Sequence, residues 1–246
     1  MRNLSKYFLL LAIFILCLFN TFASTSFADV VISDQVTTLG TPVRLVVLTK
    51  GKLFPQGGQL VDIYIDNEKL KQILTGGDGY GYLNYIPKHP GLKRITARSG
   101  IEKSSGLILT LEKHEKVVLI ELEGGFKDSL LSDKMKADSR GVIEALSKKY
   151  KIIYLRRYRY ISNALSKKWL EMENFPESVV ITWKGIRTLE ALKEKGLNLH
   201  AIIGSTALIS ASVEFIENRY SFEKTKDGKT VADWKEIEKL LNTLAP

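Results

Sequence analysis

Glu121 and Glu123 are the residues of this chain most directly placed for chemistry. They lie in the stretch Lys116–Phe126, KVVLIELEGGF. An apolar run, Val117–Ile120, leads into the acids and then a Gly124-Gly125 turn. That is the pattern of a buried parallel strand delivering polar side chains to a loop. In open α/β sheets, ligands bind at that carboxyl end. A second set is basic. No acid lies between Glu144 and Glu171, and that window holds Lys148, Lys149, Lys151, Arg156, Arg157, Arg159, Lys167 and Lys168. Arg156 and Arg157 follow a strand candidate and are predicted to point into the same crevice, with Lys184 as a further positive charge. A planar guanidinium suits phosphate or carboxylate. The competing reading is a solvated basic face. Ser205, in Gly204-Ser205-Thr206, lacks the Gly-x-Ser-x-Gly frame of a nucleophile elbow. His89, His114 and His200 have no metal-ligand spacing, and His200 on a strand reads as a packed ring.

From Val117 onward, strand candidates at Val117–Leu122, Lys151–Leu155, Ser178–Ile181 and Leu199–Ile203 alternate with amphipathic helices at Ser139–Lys149, Ser162–Met172 and Lys184–Lys195. A further helix is predicted over Thr206–Asn218 and a strand over Tyr220–Phe222. Val231–Leu244 closes as a helix capped by Thr230 and Asp233. Such alternation implies a Rossmann-like parallel α/β sheet with right-handed crossovers over residues 116–246. Residues 29–112 read differently. Short β-rich runs, among them Val43–Leu48, Leu60–Ile65, Leu92–Ala97 and Leu107–Leu111, are separated by glycine and Asp-Asn turns. They predict an all-β sandwich. Tyr80, Tyr82 and Tyr85 are expected to pair across strands, with a sugar-binding face as the alternative. Glu112–Lys116 is too short for a free linker, so the two domains should touch.

Residues 1–28 have the order of a signal peptide. Arg2 and Lys6 are its basic start, Phe8–Phe19 its apolar run and Ser26-Phe27-Ala28 its small-x-small cleavage site. An uncleaved anchor is the rival reading. The run falls short of the ~18 apolar residues that mark a membrane span. The sequence thus predicts an exported protein, periplasmic or extracellular, with no transmembrane span once the leader is removed. Loss of Arg2 and Lys6 lowers the formal charge from +9 to +7. Cys17 is the only cysteine, so the mature chain has no disulfide and no thiolate metal site. Basic residues interleaved with tyrosines fit nucleic acid. Export favours an anionic envelope lipid, a phosphate group or an acidic glycan instead.

KVVLIELEGGF resembles the first motif of haloacid dehalogenase-like phosphatases, where the strand ends in Asp-x-Asp-Gly-Thr. Residues 116–246 resemble that superfamily, nearest to its lipin-type, phosphatidate phosphatase-like branch. Gly79–Pro87, followed by Gly91 and Ile95-Thr96-Ala97, resembles bacterial immunoglobulin-like modules. The implied architecture is an immunoglobulin-like sandwich followed by a haloacid dehalogenase-like domain. The family's reaction needs a nucleophilic aspartate, an acid–base aspartate, a phosphoryl-binding threonine and lysine, and a Mg²⁺ ion held by oxygens. Here Glu121 and Glu123 replace both aspartates, and Arg156 stands at the second-motif threonine. Lys184 is the best match for the lysine. Ser205 and Ile209 stand where metal-binding acids are expected. The extra methylene of glutamate misplaces a carboxylate, and a shift of ~1 Å can cost ~100-fold in rate. Isoleucine cannot ligate Mg²⁺. The resemblance therefore implies a retained scaffold with Glu121, Glu123, Lys184 and Ser205 vestigial, no cofactor, and a non-catalytic binding or scaffolding role. The alternative is a divergent Mg²⁺-dependent phosphatase, working with Glu121 on a phosphorylated lipid or sugar.

Overall fold

A computed structural model describes residues 29–51, 54–126, 135–157 and 162–243. The leader expected over residues 1–28 lies outside them. Among the described residues, no helix is long and apolar enough to cross a membrane.

The N-terminal part is a β-sandwich. One antiparallel sheet has the order β1 (Asp29–Ile32), β3 (Val43–Lys50), β6 (Tyr80–Tyr85). The other runs β2 (Gln35–Thr38), β8 (Glu102–Leu111), β7 (Gly91–Ser99), β4 (Leu60–Ile65), β5 (Glu68–Leu74). Alternating residues of both sheets meet between them. Val43, Leu45 and Val47 of β3 pack with Val61, Ile63 and Ile65 of β4, and with Ile95 and Ile108. Two strands, β2 and β5, were not anticipated. β2 has four residues and runs parallel to β8. β5 is an edge strand with almost every residue exposed. It is joined to β4 by Asp66-Asn67, both with positive φ (48° and 72°), as a tight hairpin turn requires.

The C-terminal part comprises β9 (Lys116–Glu121), α1 (Leu122–Phe126), α2 (Ser139–Ser147), β10 (Lys151–Arg156), α3 (Asn163–Met172), β11 (Val180–Thr182), α4 (Ile186–Glu194), β12 (Asn198–Ile203), α5 (Thr206–Ala211), β13 (Asn218–Ser221), β14 (Lys229–Thr230) and α6 (Trp234–Thr243). Its strands are parallel and ordered β11-β10-β9-β12-β13-β14. The chain therefore begins at the centre with β9 and winds outward to one edge, then to the other. The winding reverses between β9 and β12, and a sheet built this way opens a crevice there at its carboxyl ends.

Several boundaries differ from the sequence pattern. Leu122 starts α1 instead of ending the strand. The helix expected over Thr206–Asn218 stops at Ala211, and β13 starts at Asn218. Gly196 (φ 79°) does close α4, its N–H donating to the Lys193 carbonyl. At α6, Asp233 accepts from the Glu236 N–H and Glu236 accepts from the Ala232 N–H, both at 2.9 Å. Glu236, and not Thr230, is Asp233's capping partner.

Each face of the parallel sheet has its own cover. On one, Val142, Ile143 and Leu146 of α2, Leu170 of α3 and Trp234, Ile237 and Leu241 of α6 pack against Val118, Ile120 and Tyr154. On the other, Leu189 and Leu192 of α4 and Leu208 and Ile209 of α5 share a core with Val117, Leu119, Ile153 and Leu155. The sandwich joins that core through Val36 of β2 and Leu107, Leu109 and Leu111 of β8. β8 is thus buried on both sides: Ile108 faces the sandwich interior and its neighbours face the α/β core. Asp34, between β1 and β2, fastens this seam. Its Oδ1 accepts from the Leu107 N–H (2.9 Å) and from Lys167 Nζ of α3 (2.7 Å), and its Oδ2 from the Val180 N–H (2.9 Å).

Candidate functional site

Glu121 is the last residue of β9. Val117 and Leu119 point to the face shared with the sandwich, so strand alternation sends Glu121 the same way. The residue is fully buried. Oε2 accepts the Ser205 backbone N–H at 2.6 Å. Two glycines make room for it: a Cβ on Gly124 or Gly204 would fall 2.5 or 2.6 Å from Oε2. Oε1 has no hydrogen-bond partner among the described residues. The nearest charge recorded for it is Arg157 Nη1 at 3.9 Å. Burial pushes the Glu121 carboxyl above the usual carboxylate range. The Ser205 N–H and the Arg157 guanidinium oppose that rise, while Glu123 adds to it.

Glu123 lies in the first turn of α1, and both its oxygens accept the Arg157 backbone N–H (3.2 and 3.0 Å). α1 has only five residues, so tertiary anchoring must hold it. Phe126, fully buried, supplies the anchor through Phe175 (4.5 Å between ring centroids), Trp169 (5.6 Å) and Trp234 (6.0 Å). Trp234 Nε1 also donates to the Gly125 carbonyl at 3.0 Å. Arg157 Nη1 completes the cluster by donating to Ser205 Oγ at 3.4 Å. The fold therefore unites Glu121, Glu123, Arg157 and Ser205, all singled out in the sequence.

Arg156 and Lys184 are elsewhere. Arg156 shares the strand parity of Tyr154 and so turns to the opposite face of the sheet from Glu121. There it is buried and donates to Thr182 Oγ1 at 2.6 Å. Arg157, the first residue beyond β10, turns instead to Glu121 and Ser205, so the two arginines do not act side by side as expected. Lys184 follows the edge strand β11 and lines a separate cleft beside the sandwich. Three members of the remaining basic window make contacts within the fold. Lys151 pairs with Glu115 (3.0 Å), Lys167 with Asp34, and Lys149 with Asn242 (2.8 Å). Tyr158, Arg159 and Tyr160 lie outside the described residues.

The residues present do not fit Mg²⁺. Glu121 Oε2 and both oxygens of Glu123 accept N–H donors, a guanidinium stands beside them, and Ile209 is apolar and buried. Among the described residues no cluster of three His, Cys, Asp or Glu side chains is arranged to hold a metal. His200 stacks on Tyr150 at 5.2 Å and 13°, and burial, with Lys116 nearby, lowers its pKa. Tyr80 and Tyr82 stack on each other (6.3 Å, 10°), with Arg44 3.9 Å over the Tyr82 ring. The sequence reading passed over Asp34 and Lys195. Asp34 resembles any acid in a turn, and only its tertiary partners distinguish it.

No protein-family model matches the chain, and no curated protein does. Solved structures align with about a third of the chain at low identity. The CARDB domain of a Pyrococcus furiosus protein is 16% identical, with 35% of this chain and 94% of that one covered and a TM-score of 0.28. The D00-D0 domain of intimin is 14% identical over 34% of this chain and 46% of its own, at a TM-score of 0.30. Fibronectin(III)-like modules of Clostridium thermocellum CbhA are 14% identical over 35% and 47%, at 0.26.

Proposed function

We propose that this chain is a non-catalytic binding or scaffolding protein of the bacterial envelope, whose α/β unit keeps the framework of haloacid dehalogenase-like phosphatases without their chemistry. The strand order and the place of Glu121 at the end of the central strand support that framework. The burial of Glu121 carries the functional reading. A nucleophilic carboxylate must reach phosphorus in line with the leaving group. Glu121 is sealed instead between Gly124 and Gly204, with one oxygen committed to the Ser205 N–H. Arg157, the cation best placed to meet a phosphoryl group, is directed at Glu121 and Ser205. The cluster closes the crevice on itself.

The purified chain is expected to show no hydrolysis of p-nitrophenyl phosphate or phosphatidate above background with Mg²⁺ present. Glu121→Asp should not restore any, because Ser205 and Ile209 still offer no carboxylate. Turnover that disappears in Glu121→Gln would overturn this reading in favour of a divergent phosphatase.

A further inference from the structure

A cleft of about 410 Å³ lies between α4 and the sandwich, within the size range of small-molecule sites. Lys184, Arg187 and Lys195 line one wall; Gln35, Val46 and Tyr80 line the other. Asp34 is its only acid, and both Asp34 oxygens are already taken by Leu107, Val180 and Lys167. No ion pair neutralises Lys184, Arg187 or Lys195 among the described residues. Lys195 is partly buried, and that burial pulls its ammonium pKa below the usual lysine value. A desolvated cation without a counter-ion is costly, and an incoming anion offsets that cost. The wall is also rigid at this point, since the Lys195 carbonyl accepts from Thr38 Oγ1 at 2.7 Å. Across the cleft, Tyr80 is 39% exposed and held in place by its stack on Tyr82. An aromatic ring fixed at the rim of a cationic cleft presents a flat face to a sugar ring and charge to a substituent on it.

We propose that this cleft binds an anionic saccharide, with its charged group among Lys184, Arg187 and Lys195 and a sugar ring against Tyr80. The site is separate from the Glu121 cluster, and it stands whether or not the chain hydrolyses phosphate esters. Carboxylated and phosphorylated sugars share the required chemistry. Isothermal titration calorimetry with trigalacturonate, glucose 6-phosphate and the neutral maltotriose tests the assignment and distinguishes those sources. Saturable binding of at least one anionic probe is expected. It should weaken at least ~10-fold, or about 1.4 kcal/mol, in Arg187→Gln/Lys195→Met. Tyr80→Ala should weaken it as well. Arg187 is exposed, so Arg187→Gln alone carries the test if the double variant does not fold. Absence of saturable binding by either anionic probe, equal binding of maltotriose, or unchanged affinity in these variants overturns the proposal. Loss of binding in Arg157→Gln with retention in Arg187→Gln/Lys195→Met would place the anion in the other crevice and likewise overturn it.

Discussion

With no exposed surface and one oxygen lacking a hydrogen bond among the described residues, Glu121 is penalised in its ionised form. Its folded pKa lies above the ordinary value of a glutamate carboxyl. The folded state therefore binds the proton more tightly than the unfolded one. That contribution is fully present below pH ~4.5 and is lost as pH rises through the folded pKa. Glu121→Gln, which stays neutral throughout, is expected to melt about 2–4 °C above the wild type at pH 7.5. The gap should close as pH approaches 4, which a series of thermal melts would check. Gly204→Ala should do the reverse. Its Cβ would meet Glu121 Oε2 and Leu208 Cδ2, each at 2.6 Å. A loss of about 1–3 kcal/mol in urea unfolding is expected, as for other overpacked sites. At this scale the sequence exposed identity. The run from Val117 placed Glu121 at a strand end, but the sequence reading set Arg156 and Arg157 in one crevice, and only the alternation of β10 in the folded sheet separates them. Burial was hidden, because Gly204 and Ser205 come from the turn after β12, more than eighty residues downstream.

Elements with an apolar pattern of their own were legible, while the exposed β5 and several of the shortest elements were not. β3, β4, α2 and α3 carry their apolar spacing within their own residues. α1, β2 and β14 have two to five residues each and exist because of what they touch. The apolar run at Leu107–Leu111 announced a strand, yet its lack of alternation also meant that β8 is covered on both sides. Asp34 is the element-scale feature with the largest expected effect. It joins β8, β11 and α3 through a carboxylate whose side chain is 1% exposed. Asp34→Ala would leave the Leu107 and Val180 N–H groups and the Lys167 ammonium without their acceptor. The expected cost is about 3–5 kcal/mol, as for removing one member of a buried pair. Urea titration of Asp34→Ala, with Lys167→Met as the milder partner variant, measures it.

In the whole molecule, the two parts share a core in which Val36, Leu107, Leu109 and Leu111 pack with Leu119, Leu155, Leu189 and Leu192. The sandwich thereby serves as one covering layer of the α/β sheet, and separating the two would expose both. Calorimetry is expected to show a single transition with equal calorimetric and van't Hoff enthalpies. Two resolved transitions would contradict the shared core. The change from short β runs to strand–helix alternation is what puts the expected junction at Glu112–Lys116. It carried no sign that the apolar face of β8 reaches across it, because a face has no partner until the chain has folded. The clasp at Asp34 also sets an order in time. Its acceptor oxygens wait for donors 73, 133 and 146 residues further along. A chain made from its N-terminus must hold that carboxylate in water until α3 and β11 have emerged. Contacts so distant in sequence slow folding, and the seam cannot close until the chain has been made as far as Val180.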